Sequence, residues 1–301
     1  MGTYDYTLRR MYNAMLLPYL QRTPHSGPTE TITIQTSDGV ALAAMLLPRG
    51  QPDLLVICHG FAASKHYMGI VWLAEALVGE WDVLTFDWRG YGESGGRASL
   101  GGDEAHDLIA VLRYARERGY RHVGLIAESM GGLIALHTIG TAMQQGLPYP
   151  DFPYPERMAT LAAPADFALT TGPRPLLVAH LAPQTWAHPV TRLMGFKMGR
   201  PNIARPLDVV SAIRIPLLVL HGDADTTVLV ANAAAIKQCN PQARVKIYPG
   251  VDHGVTFMRS HVGRELVQDL TDFFHAMPAD TLPSLPLPLD LAPPLASELP
   301  I

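Results

Sequence analysis

The sequence is short of the features that announce several large classes of protein. Only two cysteines, Cys58 and Cys239, occur in 301 residues. They are far apart and form no Cys/His ligand spacing, so neither a disulfide framework nor a zinc site is implied, and both are expected to be buried thiols. Charged residues make up only 17% of the chain, and the formal net charge is −4. That balance supplies no basic field for nucleic acid. A long apolar run is also missing near the start: Arg9, Arg10 and Asn13 interrupt it and Pro18 follows. Neither a signal peptide nor a membrane span is expected there, and a cytoplasmic location is the default.

What the chain does have is apolar residues, 48% of the total, enough to argue against disorder and for a large core. Leu8, Met11, Tyr12, Met15 and Tyr19 recur at helical spacing and predict a short amphipathic helix, with a linker to residue 30. Thr31 to Thr36, Ser37-Asp38-Gly39 and Val40 to Leu47 read as a hairpin. Strand-like runs follow at Leu54–Cys58, Val83–Phe86, Val123–Ala127, Met158–Ala162, Leu217–Leu220 and Val245–Tyr248. Helix-length segments separate most of them, notably Asp103–Arg118, Met130–Gln145, Val230–Gln238 and Ser260–Ala276. A hairpin followed by β-α alternation predicts a mostly parallel sheet with helices on both faces.

Two stretches break this order. Residues 166–212 carry many prolines and scattered large apolar side chains, Trp186, Leu193, Met194, Phe196 and Met198 among them. They read as a lid inserted into a core made of residues 31–165 and 213–276. Residues 277–301 are Pro- and Leu-rich without periodicity, and an extended or disordered tail is expected.

The chemistry concentrates where strands end. Gly124 to Gly132 is an apolar strand that runs into Ser129 and then into a helix. A serine that acts as nucleophile must stand out of a tight turn within reach of a base, and small residues two before and two after it let the turn close. Here they are Ala127 and Gly131, so the usual G-x-S-x-G stands as A-x-S-x-G. A serine capping an ordinary helix would be the bland alternative. Two further strands open into His221-Gly222-Asp223-Ala224-Asp225 and Pro249-Gly250-Val251-Asp252-His253. In a parallel sheet these ends share a rim with Ser129.

Taken with His59-Gly60-Phe61 and Asp87-Trp88-Arg89-Gly90-Tyr91-Gly92-Glu93-Ser94, these motifs resemble the α/β-hydrolase superfamily, in its serine esterase, lysophospholipase and serine-aminopeptidase-like branch. The resemblance spans roughly Thr31 to Ala276 and leaves both termini unexplained. It implies the α/β-hydrolase fold, with an antiparallel N-terminal hairpin and a lid. It also implies Ser129 as nucleophile, His253 as general base and Asp225 as the acid that orients it, because Asp225 fits the H-G-x-x-D pattern better than Asp223 or Asp252. The backbone N–H groups of Phe61 and Met130 would form the oxyanion hole. His59 is expected to shape its loop, and Glu128 to be solvated or salt-bridged.

The expected activity is hydrolysis of carboxylic esters with short to medium acyl chains, through an acyl-enzyme. Thioesters and lysophospholipids react through the same intermediate, and a low-turnover ligand-binding protein is the alternative of another class. No cofactor or metal is implied. The expected partner is a small ester or acyl substrate rather than nucleic acid or a membrane interior, and the oligomeric state is left open.

Overall fold

The computed structural model describes residues 22–166, 169, 191, 195–254, 257 and 260–276. The expected N-terminal helix, the Pro-rich tail and most of the lid fall outside the described residues.

The hairpin consists of β1 (Glu30–Gln35) and β2 (Ala41–Leu47), antiparallel, with Thr33 opposite Ala43. Buried and less buried residues alternate along both strands, as expected where one face meets the core and the other meets water. β3 (Asp53–Cys58), β4 (Asp82–Phe86), β5 (His122–Glu128), β6 (Arg157–Leu161), β7 (Leu217–Gly222) and β8 (Arg244–Tyr248) complete one sheet of order β1-β2-β4-β3-β5-β6-β7-β8. β4 meets β2 antiparallel, and every pairing from β4 through β3 to β8 is parallel. Every residue of β4 and of β7 is buried. Continuous apolar runs of this kind belong to strands covered on both faces.

The covering helices are α1 (Met68–Leu77), α2 (Glu104–Glu117), α3 (Met130–Gln144), α4 (Ala231–Cys239) and α5 (Ser260–His275). Apolar residues of α1 and α5 join one core cluster with Leu55, Ile57 and Ile126, whereas those of α2, α3 and α4 join the other with Leu54, Val56 and Leu125. The predicted α/β-hydrolase fold is thus present, and α1 adds a helix that the sequence pattern left unmarked. Cys58 is buried as expected, but Cys239 is exposed. It ends α4, a helix whose buried residues are Asn232, Ala233 and Ile236 and whose Cys239 end projects beyond that face.

Residues 195–212 do not hang free of the core. Phe196 and Met198 are buried and bridge to Tyr91 and Ala98, and Ile203 bridges to Gly101. Among the described residues no helix is long and apolar enough to cross a membrane.

The helix α5 sits close to the sheet at Gly124 of β5, where a larger residue would force Leu55 and Phe274 to shift. A Cβ there would lie 2.5 Å from Leu55 Cδ2 and 2.6 Å from Phe274 Cε1, and Phe274 is itself fully buried. Gly124→Ala should therefore destabilise the fold by about 1–3 kcal/mol, the usual cost of overpacking. Urea unfolding should show it as a lower midpoint at unchanged slope.

Candidate active site

The site is built where β3, β5, β7 and β8 end on the same rim of the sheet. At the end of β5, Ser129 has φ 49° and ψ −115°. A non-glycine residue at positive φ costs on the order of 1–3 kcal/mol and persists only where its surroundings over-determine it. Here the Ser129 N–H donates to Leu161 O at 2.8 Å, and Ser129 O accepts from the Leu133 N–H at 3.1 Å in the first turn of α3. The turn is closed from below as well. A Cβ on Gly131 would lie 2.8 Å from His59 O, and one on Gly132 2.5 Å from the Cβ of Ala163. Ala127, where glycine is usual, is buried within β5 opposite Thr160 and Cys58. The extra methyl group is thus absorbed by the sheet.

The loops after β7 and β8 bring the other two side chains to Ser129. His253 Nε2 lies 2.9 Å from Ser129 Oγ, and His253 Nδ1 lies 2.7 Å from Asp225 Oδ2. Because an ionised carboxylate can only accept, Nδ1 carries the proton and Nε2 is left to accept from the serine hydroxyl. The other oxygen of Asp225 accepts from the N–H groups of Thr227 and Val228 at 2.9 and 2.7 Å. Burial pushes the Asp225 carboxyl up, but the hydrogen bonds from His221, His253 and Val228 outweigh it and hold the group well below the usual carboxylate range. Burial likewise pushes the His253 imidazole down, and the hydrogen bond and charge of Asp225, with smaller contributions from Glu128 and Asp252, raise it above its ordinary value.

The neighbouring acids do other work. Asp223 Oδ1 accepts from the Gly250 N–H at 2.6 Å, and Asp252 Oδ1 accepts from the N–H groups of Thr226 and His253 at 3.0 and 2.8 Å. Both stitch the two loops together. His221, buried, donates its Nε2 proton to Val228 O at 2.7 Å and comes within 3.5 Å of Asp225 Oδ2.

Phe61 and Met130 follow the ends of the adjacent strands β3 and β5. Between them the chain is tight: a Cβ on Gly60 would lie 3.2 Å from the Cβ of Ser129. His59 holds this loop. Its Nδ1 donates to Gly60 O at 2.7 Å, its Nε2 accepts from the Trp88 N–H at 3.2 Å, and its carbonyl accepts from Trp88 Nε1 at 3.0 Å. Burial lowers the His59 pKa to about 4, so the ring stays neutral. The Phe61 ring packs edge-on against Phe196 at 4.9 Å and Tyr91 at 6.2 Å, and the Tyr91 hydroxyl donates to Met130 Sδ at 3.4 Å.

A buried ion pair that sequence reasoning missed stands behind the loop. Lys65 donates from its N–H and its Nζ to the two oxygens of Asp87 at 2.7 and 2.6 Å, and from Nζ to Glu93 at 2.6 Å. Nothing in the local pattern around Lys65 marks it, because its partner lies 22 residues away. Glu128 also departs from expectation: its side chain is half-buried, lines an apolar pocket, and has no salt bridge or hydrogen-bond partner among the described residues. Among the described residues no group of three or more His, Cys, Asp or Glu could hold a metal ion.

Comparison with known proteins agrees with this architecture. Residues 53–163 match the family described as alpha/beta hydrolase fold. The esterase Pf2001 of Pyrococcus furiosus superposes with a TM-score of 0.64 at 21% identity, covering 84% of this chain and 98% of the other. The chain has the α/β-hydrolase fold. XC6422 of Xanthomonas campestris, described as an α/β serine hydrolase without lid, superposes on this hydrolase fold with a TM-score of 0.55 at 19% identity, over 87% of this chain and all of that one. In sequence, the uncharacterized protein YqkD of Bacillus subtilis is 28% identical over 240 residues, 75% of this chain and 73% of its own.

The contact between the acid-bearing and histidine-bearing loops is the weak point of the geometry. A Cβ on Gly222 would lie 2.0 Å from Val251 O, a backbone atom that no rotamer change can move. Gly222→Ala should push residues 251–253 away and stretch the Asp225–His253–Ser129 chain. The variant should keep its circular dichroism spectrum, and the downfield proton resonance of the His253 Nδ1–Asp225 hydrogen bond should weaken or vanish.

Proposed function

We propose that this α/β hydrolase is a serine-dependent carboxylic ester hydrolase with Ser129 as nucleophile, His253 as general base and Asp225 as its orienting acid. The observation that carries the reading is the unbroken hydrogen-bond chain from Ser129 Oγ through His253 to Asp225, starting from a strained positive-φ turn. Strain of this kind is retained where it presents a reactive group. Esterase Pf2001 and other solved esterases that share the fold support it by analogy.

In the proposed reaction Ser129 Oγ attacks the ester carbonyl as its proton passes to His253 Nε2. The oxyanion is held by the N–H groups of Phe61 and Met130, one from each strand end. The charge of Asp225 stabilises the imidazolium. His253 then returns the proton to the leaving alcohol, and a water activated by the same nitrogen releases the acid. Haloalkane and epoxide chemistry in this fold uses an aspartate at the elbow, and position 129 is serine.

An organophosphonate should label Ser129, and Ser129→Ala should abolish labelling and turnover with the fold intact. Labelling that persisted would remove Ser129 from its role. Asp225→Asn should lower kcat by up to about 10⁴-fold, because the amide can hold the wrong tautomer. Asp223→Asn and Asp252→Asn should be far milder. Only neutral His253 can act as base, and its raised pKa places the acidic limb of kcat/KM above about pH 6.5, the ordinary histidine value. Removing the charge at 225 should move that limb downward in the residual activity, and a pH profile of p-nitrophenyl ester hydrolysis will read both.

The acyl side should be of limited length. Phe196 and Met198, two of the large apolar residues of the inserted region, are already packed against the core, which leaves fewer of them to line a channel. Each acyl methylene that is buried should contribute about 0.8 kcal/mol until the space is full. kcat/KM should therefore climb over short chains and then level off. A steady rise to long chains, with activation at lipid droplets, would replace this reading by that of a lipase.

A further inference from the structure

Glu128 immediately precedes the nucleophile, yet the hydrogen-bond chain from Ser129 to Asp225 makes no use of it. Strand alternation sends its side chain to the opposite side from Ala127, onto the face of Ile126 and helix α1. There it enters a pocket lined by Ile57, Ile70, Leu73, Trp72 and Gly254. Among the described lining residues it is the single charged group. A carboxylate in such a place is expensive unless something pairs with it. Burial pushes its carboxyl up, and the nearby His253 only partly opposes this. No lysine or arginine of the described residues lies in salt-bridge contact with it.

A guest cation would meet both needs of this pocket. Its charge would pair with Glu128, its methyl groups would cover Ile57, Ile70 and Leu73, and Trp72, among the lining residues, is of the side-chain type whose ring attracts ammonium groups most strongly. The pocket also has a defined place relative to the reaction. His253 returns its proton to the leaving oxygen, so the alcohol half of the ester lies on the side of His253. Gly254, the next residue, borders the pocket, and a Cβ there would lie 3.9 Å from Glu128 Oε1.

We propose that the Glu128 pocket binds a small substituted ammonium group on the alcohol half of the substrate, which makes esters of amino alcohols the preferred substrate class. This rests on the ester-hydrolase reading above.

The test compares two butanoate esters of nearly equal shape, that of protonated dimethylaminoethanol and that of isopentyl alcohol, in the wild type, Glu128→Gln and Trp72→Leu. The wild type should favour the ammonium ester in kcat/KM by about tenfold or more, the scale of a partly desolvated cation contact, and mainly through KM. In Glu128→Gln the ratio should fall to near one, and in Trp72→Leu part of the way. Taking the ratio cancels any effect of Glu128 on His253 itself. Calorimetric titration of dimethylethylammonium chloride supplies a readout without turnover: the ion should bind the wild type and not Glu128→Gln. A wild-type ratio near one, or a preference that survives Glu128→Gln, overturns the proposal. If neither ester is hydrolysed, the hydrolase reading fails and the titration decides alone, with absence of wild-type binding overturning the cation pocket.

Discussion

A positive φ at Ser129 is tolerable only because three separate pieces of structure hold it there. β6 accepts its N–H through Leu161, α3 begins directly on its carbonyl, and the loop after β3 passes close enough to exclude any side chain at Gly131. Loosen any of them and the serine would relax toward an ordinary helix cap, with its hydroxyl lowered from the rim. The sheet order serves this one residue: β5 lies between β3 and β6, so the strands that confine the turn are its immediate neighbours.

The same economy governs Asp225 and His253. Asp225 and His253 come from loops after β7 and β8, paired in parallel with Gly222 opposite Tyr248. Parallel pairing sets both chain ends at one height. The loops then bind each other through Asp223, Asp252 and Thr226, which is why three neighbouring aspartates can have three different jobs. Two of them neutralise backbone N–H groups, and one is left facing an imidazole. Burial alone would raise the Asp225 carboxyl; the converging donors reverse that sign. Its charge can then raise the histidine above its ordinary value in a site where burial works the other way.

Glu128 shows the opposite electrostatic situation beside the same histidine. Among the described residues no donor meets it, and burial, only partly opposed by His253, drives its carboxyl up rather than down. Two carboxylates that both act on one histidine thus sit in environments that push them apart.

Much of this was legible in the amino-acid order because it is local. Alternation in β1 and β2, continuous apolar runs in β4 and β7, and a small-x-Ser-x-small turn between a strand and a helix are all consequences of residues within a few positions of one another. Chain order at strand ends, read together with the H-G-x-x-D pattern of the resembled family, was enough to nominate Ser129, Asp225 and His253, since a parallel sheet brings such ends together whatever lies between. What local pattern could not supply were partnerships across long separations. Lys65 is an unremarkable surface residue in sequence and a buried ion-pair centre in the fold, because Asp87 and Glu93 arrive from 22 and 28 residues away. Cys239 looks like a core thiol, but it is the last residue of α4, at the end of the helix, and is exposed. Glu128 reads as a solvated or salt-bridged neighbour of Ser129, and its place in an apolar pocket, with no charged partner among the described residues, is set only when α1 and Gly254 come beside it.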